Sequence, residues 1–407
     1  MGLMPVAIAS PFIPRLPQEN SAGIRDAATA MMRNDVDKAR ALLASCPESP
    51  KKLLVLATLE LNEGRPERAS DLARRLLLLR PDARDARLLA ALARGRLARP
   101  REPWRDAMIR SLKEIAADPG EGFVMDDAVS SIRRDGLPKV SDIAGPDGFI
   151  LRVARRSEIS TESLRLEALS YATVEAPFVA QWAALSLLYD KNRIHSDDLE
   201  ATEARRALLA RMVKEHPENV HLRLAAVIDG PDDKPFRMED LDAAGIALSG
   251  KDASLSLGII STAIETVYER FDPASAWEAA WGDTFGIYPD ETRMTFLNRT
   301  KATADSQSPE IRKKLALVTE KYGRMLFDQP ALIDSGFGIS LLALAARISG
   351  NEKLAEEAKR LRKEFSDTHE MAGLLDAAER LPMPALRREI LQALLTDERG
   401  FLGAARR

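Results

Sequence analysis

The sharpest chemical signature in this sequence is Gly245-Ile246-Ala247-Leu248-Ser249-Gly250-Lys251-Asp252. It has the Gly-x4-Gly-Lys spacing of a phosphate-cradling loop, but Asp252 stands where that loop needs a hydroxyl for Mg²⁺. A carboxylate there repels phosphate, and the loop must also follow a buried strand. Residues 238–244 include Glu239, Asp240 and Asp242 and read as the start of a helix. Gly250 is therefore expected to end one helix and Asp252 to cap the next. The four histidines are His195, His216, His221 and His369. His216 and His221 are separated by Pro217 and cannot share a helix face as a zinc pair does. Solvated or locally bonded imidazoles are expected. Cys46, the single cysteine, allows no disulfide within the chain and no cysteine-built metal site. It precedes Pro47 at a helix end and is expected to fill a packing gap. No Gly-x-Ser-x-Gly elbow occurs, and no pair of carboxylates stands out as acid and base. No catalytic residue, metal or cofactor is assigned, and a non-enzyme is expected.

The charge distribution is more informative. The net charge is −3, which argues against a globally basic nucleic-acid binder. Residues 64–114 nevertheless carry 14 Lys plus Arg against 7 Asp plus Glu. Arginine forks suit carboxylates and phosphates. The first reading of this section is a solvated face. The second is a contact patch for an acidic protein partner, with Arg84, Arg87, Arg94 and Arg96 as contact residues. Nucleic acid comes third, because Trp104 is the one aromatic of this section that could stack a base.

The elements that must position these residues are helical. Of 407 residues, 45% are apolar but only 5% aromatic, so the core must be built from Leu and Ala. Such a mixture suits helices far better than sheets. The best strand candidate, residues 150–153, is too short to build on. No apolar run reaches the roughly 18 residues of a membrane span, so none is expected. With one cysteine and no leader-like start, a cytoplasmic location is expected. Residues 1–19, with Pro5, Pro11, Pro14 and Pro17, read as an extended arm, either loose or docked on this chain or a partner.

Between residues 23 and 120, helices of about three turns alternate with short turns, which makes each an antiparallel hairpin with its neighbour. In residues 51–83, Leu56-Ala57 lies on a first helix, Gly64 at a turn, Ala69 on a second helix, and Pro81 closes the unit. Small side chains at 57 and 69 let two helix axes approach closely. This stretch resembles a tetratricopeptide repeat, residue by residue. Leu56-Ala57 stands at the family's Leu-Gly, Ala69 at its signature alanine and Pro81 at its closing proline. Leu53, Leu54 and Leu76 depart from the usual aromatic and alanine positions. Residues 23–47 resemble a shortened copy through Ala27, Asn34 and Ala39, and Ala91, Ala107 and Pro119 mark a third with an insertion. Residues 342–358 resemble the pattern again, with Gly350 at the turn and Ala355 at the signature alanine. The resemblance implies an all-α fold, a right-handed α-solenoid of antiparallel helix hairpins, tetratricopeptide-like at the N-terminal end. It also implies groove-lining positions at Leu54, Thr58 and Leu61. That groove is apolar, not a carboxylate clamp. It would take an apolar helix or strap, or be closed by the chain's own elements.

The organisation expected is an arm at 1–19, repeats at 20–119, a Gly/Pro-rich connector at 120–148, a helical block at 149–235, a second at 236–399, and a frayed tail at 400–407. The function expected is a non-catalytic scaffold or adaptor that binds a protein or peptide on a helical-repeat surface. The alternative is a helical enzyme or ligand-sensing domain within residues 149–407, with a pocket the sequence does not mark. A weaker one is nucleic-acid binding through residues 64–114.

Overall fold

The computed structural model describes residues 21–125, 142–155, 160–190, 198–230, 234–249, 257–271, 276–284, 287, 291–305 and 308–406. The arm at 1–19, His195 and the Gly250-Lys251-Asp252 turn lie outside them. Among the described residues the chain is all-α. The N-terminal helices are α1 (Ser21–Met32), α2 (Val36–Ser45), α3 (Pro50–Asn62), α4 (Pro66–Leu79), α5 (Arg84–Ala98) and α6 (Trp104–Ala116). The middle ones are α7 (Gly145–Ala154), α8 (Thr161–Thr173), α9 (Phe178–Tyr189), α10 (Leu199–Glu215) and α11 (Val220–Ile228). Then come α12 (Met238–Ala247), α13 (Leu257–Tyr268), α14 (Ala276–Thr284), α15 (Glu291–Ala304) and α16 (Pro309–Phe327). The chain ends in α17 (Leu332–Ser349), α18 (Glu352–Ala378) and α19 (Pro384–Arg406).

Local chemistry sets many of the boundaries. Ser49, Asn219, Ser308 and Asn351 each accept a backbone N–H three residues on, which satisfies a donor that a helix start leaves open. Pro50, Pro66 and Pro309 sit in first turns, where no N–H is needed. Gly64 takes φ +72° at the α3–α4 turn and Gly350 φ +66° at the α17–α18 turn, so both turns need a left-handed residue. Ala57 and Ala69 are fully buried, as close packing of the α3–α4 hairpin requires. Cys46 is buried, and its thiol reaches the Leu42 carbonyl at 3.3 Å.

Residues 150–153, the best strand candidate but too short to build on, are helical within α7, where Phe149, Ile150, Leu151 and Val153 are all buried. Three expectations are corrected. The sequence predicts two helices, at 352–365 and 369–381, but α18 runs unbroken from Glu352 to Ala378. Ser366, Asp367 and Thr368 are weak helix formers, but none is Gly or Pro, and packing of Met371 and Leu374 carries the helix through. The tail expected at 400–407 is helical through Arg406, with Phe401, Leu402 and Ala405 buried. Finally, α17 is an 18-residue helix of mean hydropathy 1.4, long and apolar enough to cross a membrane by length and composition. Within the fold 56% of it is buried, and its Asp334 pairs with Arg293, so its apolar side chains build the core.

The packing does not run only between sequence neighbours. One apolar cluster unites α1–α6 with the second half of α18 and with α19. Leu386, Ile390 and Leu394 of α19 enter it, and α19 lies against α6. An open array would leave the apolar side of its last hairpin in water; here the C-terminal helices cover it. A second cluster joins α7–α10 with α13, α14 and Leu222 and Ala225 of α11, and a third joins the other side of α11 with α12 and α15–α17. α19 is bent at Asp397 (φ −159°, ψ +76°). Asp397 then caps the second half by accepting the Gly400 N–H at 2.9 Å. The next residue, Glu398, accepts the Leu332 N–H at 2.8 Å and caps the start of α17.

Candidate functional site

Two surfaces compete for the role of a binding site. The first is the outer side of α4–α6, where the arginine-rich section lies. Its arginines are largely engaged within the chain. Segment 118–125 crosses the α4–α5 turn as a strap. Arg84 Nε donates to the Gly120 carbonyl at 2.8 Å, Arg87 to the carbonyls of Pro81 and Asp118, and Arg80 to that of Phe123. The Glu121 and Gly122 N–H groups donate to the Asp82 carbonyl, and the Arg84 N–H donates to Gly122. Gly120 is required at φ +81°, because a Cβ there would meet the Asp82 carbonyl oxygen at 2.2 Å. The strap ends on Asp85, which is fully buried and accepts the N–H groups of Val124 and Met125 at 2.9–3.0 Å. Burial pushes the Asp85 carboxyl above its ordinary pKa, and those backbone donors pull against it. The start of the expected connector is thus stitched to the repeats, not free; residues 126–141 lie outside the described residues.

This anchorage yields a first prediction. Asp85→Ala leaves buried backbone donors without an acceptor and should cost about 2–3 kcal/mol in urea unfolding. It should also open residues 120–125 to hydrogen exchange. Unchanged exchange there would show that the arginines alone hold the strap.

The seven residues expected to make contacts divide sharply. Leu54 and Thr58 have no exposed surface and Leu61 only 2%, and all three sit on a helix enclosed within the first cluster. The Thr58 hydroxyl donates to the Leu54 carbonyl at 2.7 Å. These groove positions are closed by the chain's own elements, so no partner reaches them in this conformation. Arg84 holds the strap. Arg96 lies over the Trp104 ring at 3.6 Å and donates to the Pro100 and Glu102 carbonyls, and burial lowers its pKa. Only Arg87 and Arg94 come together at an open surface. They line a hollow of about 400 Å³ with Leu77, Pro81, Glu114, Ile115 and Asp118. Their carboxylate partners, Asp118 and Glu114, are themselves exposed. Beside the hollow, Leu78 is 81% and Leu79 55% exposed. A signal for them was in the sequence: of four consecutive leucines at the end of α4, Leu76 alone can face fully inward.

The second surface is a cleft of about 770 Å³ between the α16–α17 corner, α18 and the bent end of α19. Phe327, Leu332, Leu361 and Phe365 form its apolar part, and Glu364, Asp397, Arg399 and Arg406 bring charge. Arg399 donates to the Phe327 carbonyl and covers the Phe327 ring at 4.6 Å. Arg406 pairs with Asp367. Just behind the lining, Glu398 is pushed above its ordinary pKa, chiefly by burial. Gly403 faces open space: among the described residues, no atom lies within 4 Å of the place a Cβ would take. Nothing local in the sequence signals this cleft, because its walls come from stretches some 70 residues apart that meet only through the return of α19.

Among the described residues, the helix α12 carries the first three residues of the Gly-x4-Gly-Lys stretch, and no strand precedes it. His216 packs edge-on against Phe178 at 4.4 Å, and His369 stacks on Phe365. His221 is not solvated: it is 6% exposed, inside the protein.

No family model matches the chain, and no curated protein matches it. Among solved structures it is similar to the crystal structure of the yeast Tom70, at 12% identity and a TM-score of 0.20. That likeness spans 92% of this chain and 95% of that one. At such a score it carries no argument about fold or function.

Proposed function

We propose that this protein is a non-catalytic helical scaffold, tetratricopeptide-like at its N-terminal end, that binds a protein or peptide partner in the cytoplasm. One observation carries the reading: the water-exposed Leu78–Leu79 pair beside the Arg87–Arg94 hollow. Two adjacent leucines at a rigid helix end, next to a concave surface, form an apolar anchor site with a charged rim. The partner suited to it is a segment with an apolar side chain for the hollow and carboxylates for the arginines. Arg94 can exchange the exposed Glu114 for a partner carboxylate at small cost, because exposed ion pairs contribute about 0–1 kcal/mol. The excess of positive charge in residues 64–114 favours such an acidic segment over a basic one.

The test compares the intact protein with Leu78→Glu and Arg94→Glu as baits in quantitative affinity capture. Both residues are exposed, so both variants should melt like the parent. Proteins that bind here should be depleted at least tenfold on each variant. Equal recovery on all three baits would remove this surface from the function.

The 770 Å³ cleft favours a second reading, a small-ligand site in the C-terminal part, since its volume falls in the usual range of about 300–1,000 Å³. Gly403→Leu places a side chain into open cleft within a helix and should raise stability by up to about 1 kcal/mol. A compound whose thermal shift on the parent disappears in Gly403→Leu binds in the cleft. A compound that shifts both proteins equally binds elsewhere.

A further inference from the structure

The boundary between the second and third apolar clusters contains a small cavity lined mainly by apolar surface, including Leu185, Leu222 and Ala225, with several polar residues among its walls. Residues of α9, α11 and α15 enclose about 20 Å³ there. Its polar lining comes from Trp182, Ser186 and Tyr189 on α9, His221 on α11 and Thr292 on α15, all at least nine-tenths buried. The indole N–H of Trp182 is buried without an acceptor among the described residues. A buried donor in that state bears the full cost of leaving water, and native interiors rarely tolerate it. The Tyr189 hydroxyl already donates to Asp229, at 3.4 Å, and Ser186 is engaged elsewhere. Burial and the neighbouring Arg293 hold His221 neutral, so one ring nitrogen is an acceptor and the other a donor.

Size and chemistry together choose the occupant. A water needs about 10–15 Å³ of such volume and two to four polar partners. The cavity has the volume for one water and polar residues in its walls that can bind it. A cation would face Arg293, and an apolar atom would leave the indole N–H unsatisfied.

We infer that this cavity holds one structural water, which accepts from Trp182 Nε1–H and donates to the unprotonated nitrogen of His221, linking α9 to α11. Its second hydrogen is directed to the Thr292 hydroxyl of α15. The three bonds tie α9, α11 and α15 together.

Crystals of the full chain that resolve ordered solvent should show one density peak about 2.7–3.2 Å from Trp182 Nε1, within reach of His221. An empty cavity, or a direct bond between the two rings, would overturn the inference. In solution, Trp182→Phe, His221→Phe and the double variant form a thermodynamic cycle. With a shared water, the double variant should lose less melting temperature than the two single losses added together, because the second change finds the bridge already gone. Strictly additive losses would count against it. If a single variant fails to fold, the crystallographic result on the parent decides.

Discussion

Asp334→Ala should lower the unfolding free energy by about 3–5 kcal/mol, among the largest effects of any single substitution in this protein. Asp334 lies in the first turn of α17, and its side chain is 2% exposed; Arg293 of α15, its partner, is 1% exposed. Neither group can turn to water when the other is removed. The alanine variant removes the carboxylate that pairs with a guanidinium held in the interior, so the desolvation of that charge is offset far less. The pair itself is a different matter. Replacing both residues with apolar ones of similar volume, Arg293→Met with Asp334→Leu, removes two desolvation costs together with one attraction. That double variant should be close to the parent in stability or above it. Urea unfolding followed by circular dichroism measures all three proteins. A single variant within 1 kcal/mol of the parent would mean that water reaches the pair.

Acid should weaken the fold through His221 before most carboxylates titrate. Burial, with a smaller contribution from the Arg293 charge, lowers its pKa from the ordinary 6.5 to about 3. Between those values the unfolded chain binds a proton that the folded chain refuses. Stability therefore rises with pH across this window and is fully present above about pH 6.5. As pH falls below 6.5, the loss approaches about 1.4 kcal/mol per unit until the folded group itself titrates. Carboxylates join below about pH 5, so the clean interval is pH 6.5 to 5. There the parent should lose melting temperature steadily, while His221→Gln, which cannot titrate, should stay nearly flat. Parallel slopes for the two proteins would place His221 in contact with solvent.

How much of this was legible in the sequence differs from element to element. The α3–α4 hairpin could be read almost to the residue. A turn glycine, a first-turn proline and two alanines at the crossing all act within a few residues of themselves. The α17–α18 turn was legible for the same reason, through Gly350 and Asn351. The continuity of α18 was not, because a run of weak helix formers gains its helix from Met371 and Leu374 packing on a distant part of the chain. His221 lay beyond local reasoning too, since a histidine looks alike in sequence whether it faces solvent or an interior. Among the expected contact residues, Arg87 and Arg94 lie together at a surface hollow. Leu54, Thr58 and Leu61 are enclosed, the closed of the two alternatives for that groove, and periodicity could not choose between them because it shows that a helix face is apolar but not what covers it.

The sequence by itself determined the helical class, most N-terminal turns and the positive bias of residues 64–114. These depend on backbone preference, capping and charge, all of which act at short range. Only the tertiary structure decided that α19 returns to α6 and bends at Asp397 to wall a cleft. It alone fixed which leucines of α4 remain in water, and that a buried ion pair and a neutral histidine sit within the packed helices. Those outcomes depend on which apolar faces meet across hundreds of residues, and the energy of such a meeting is a property of the assembled surfaces, not of either segment alone.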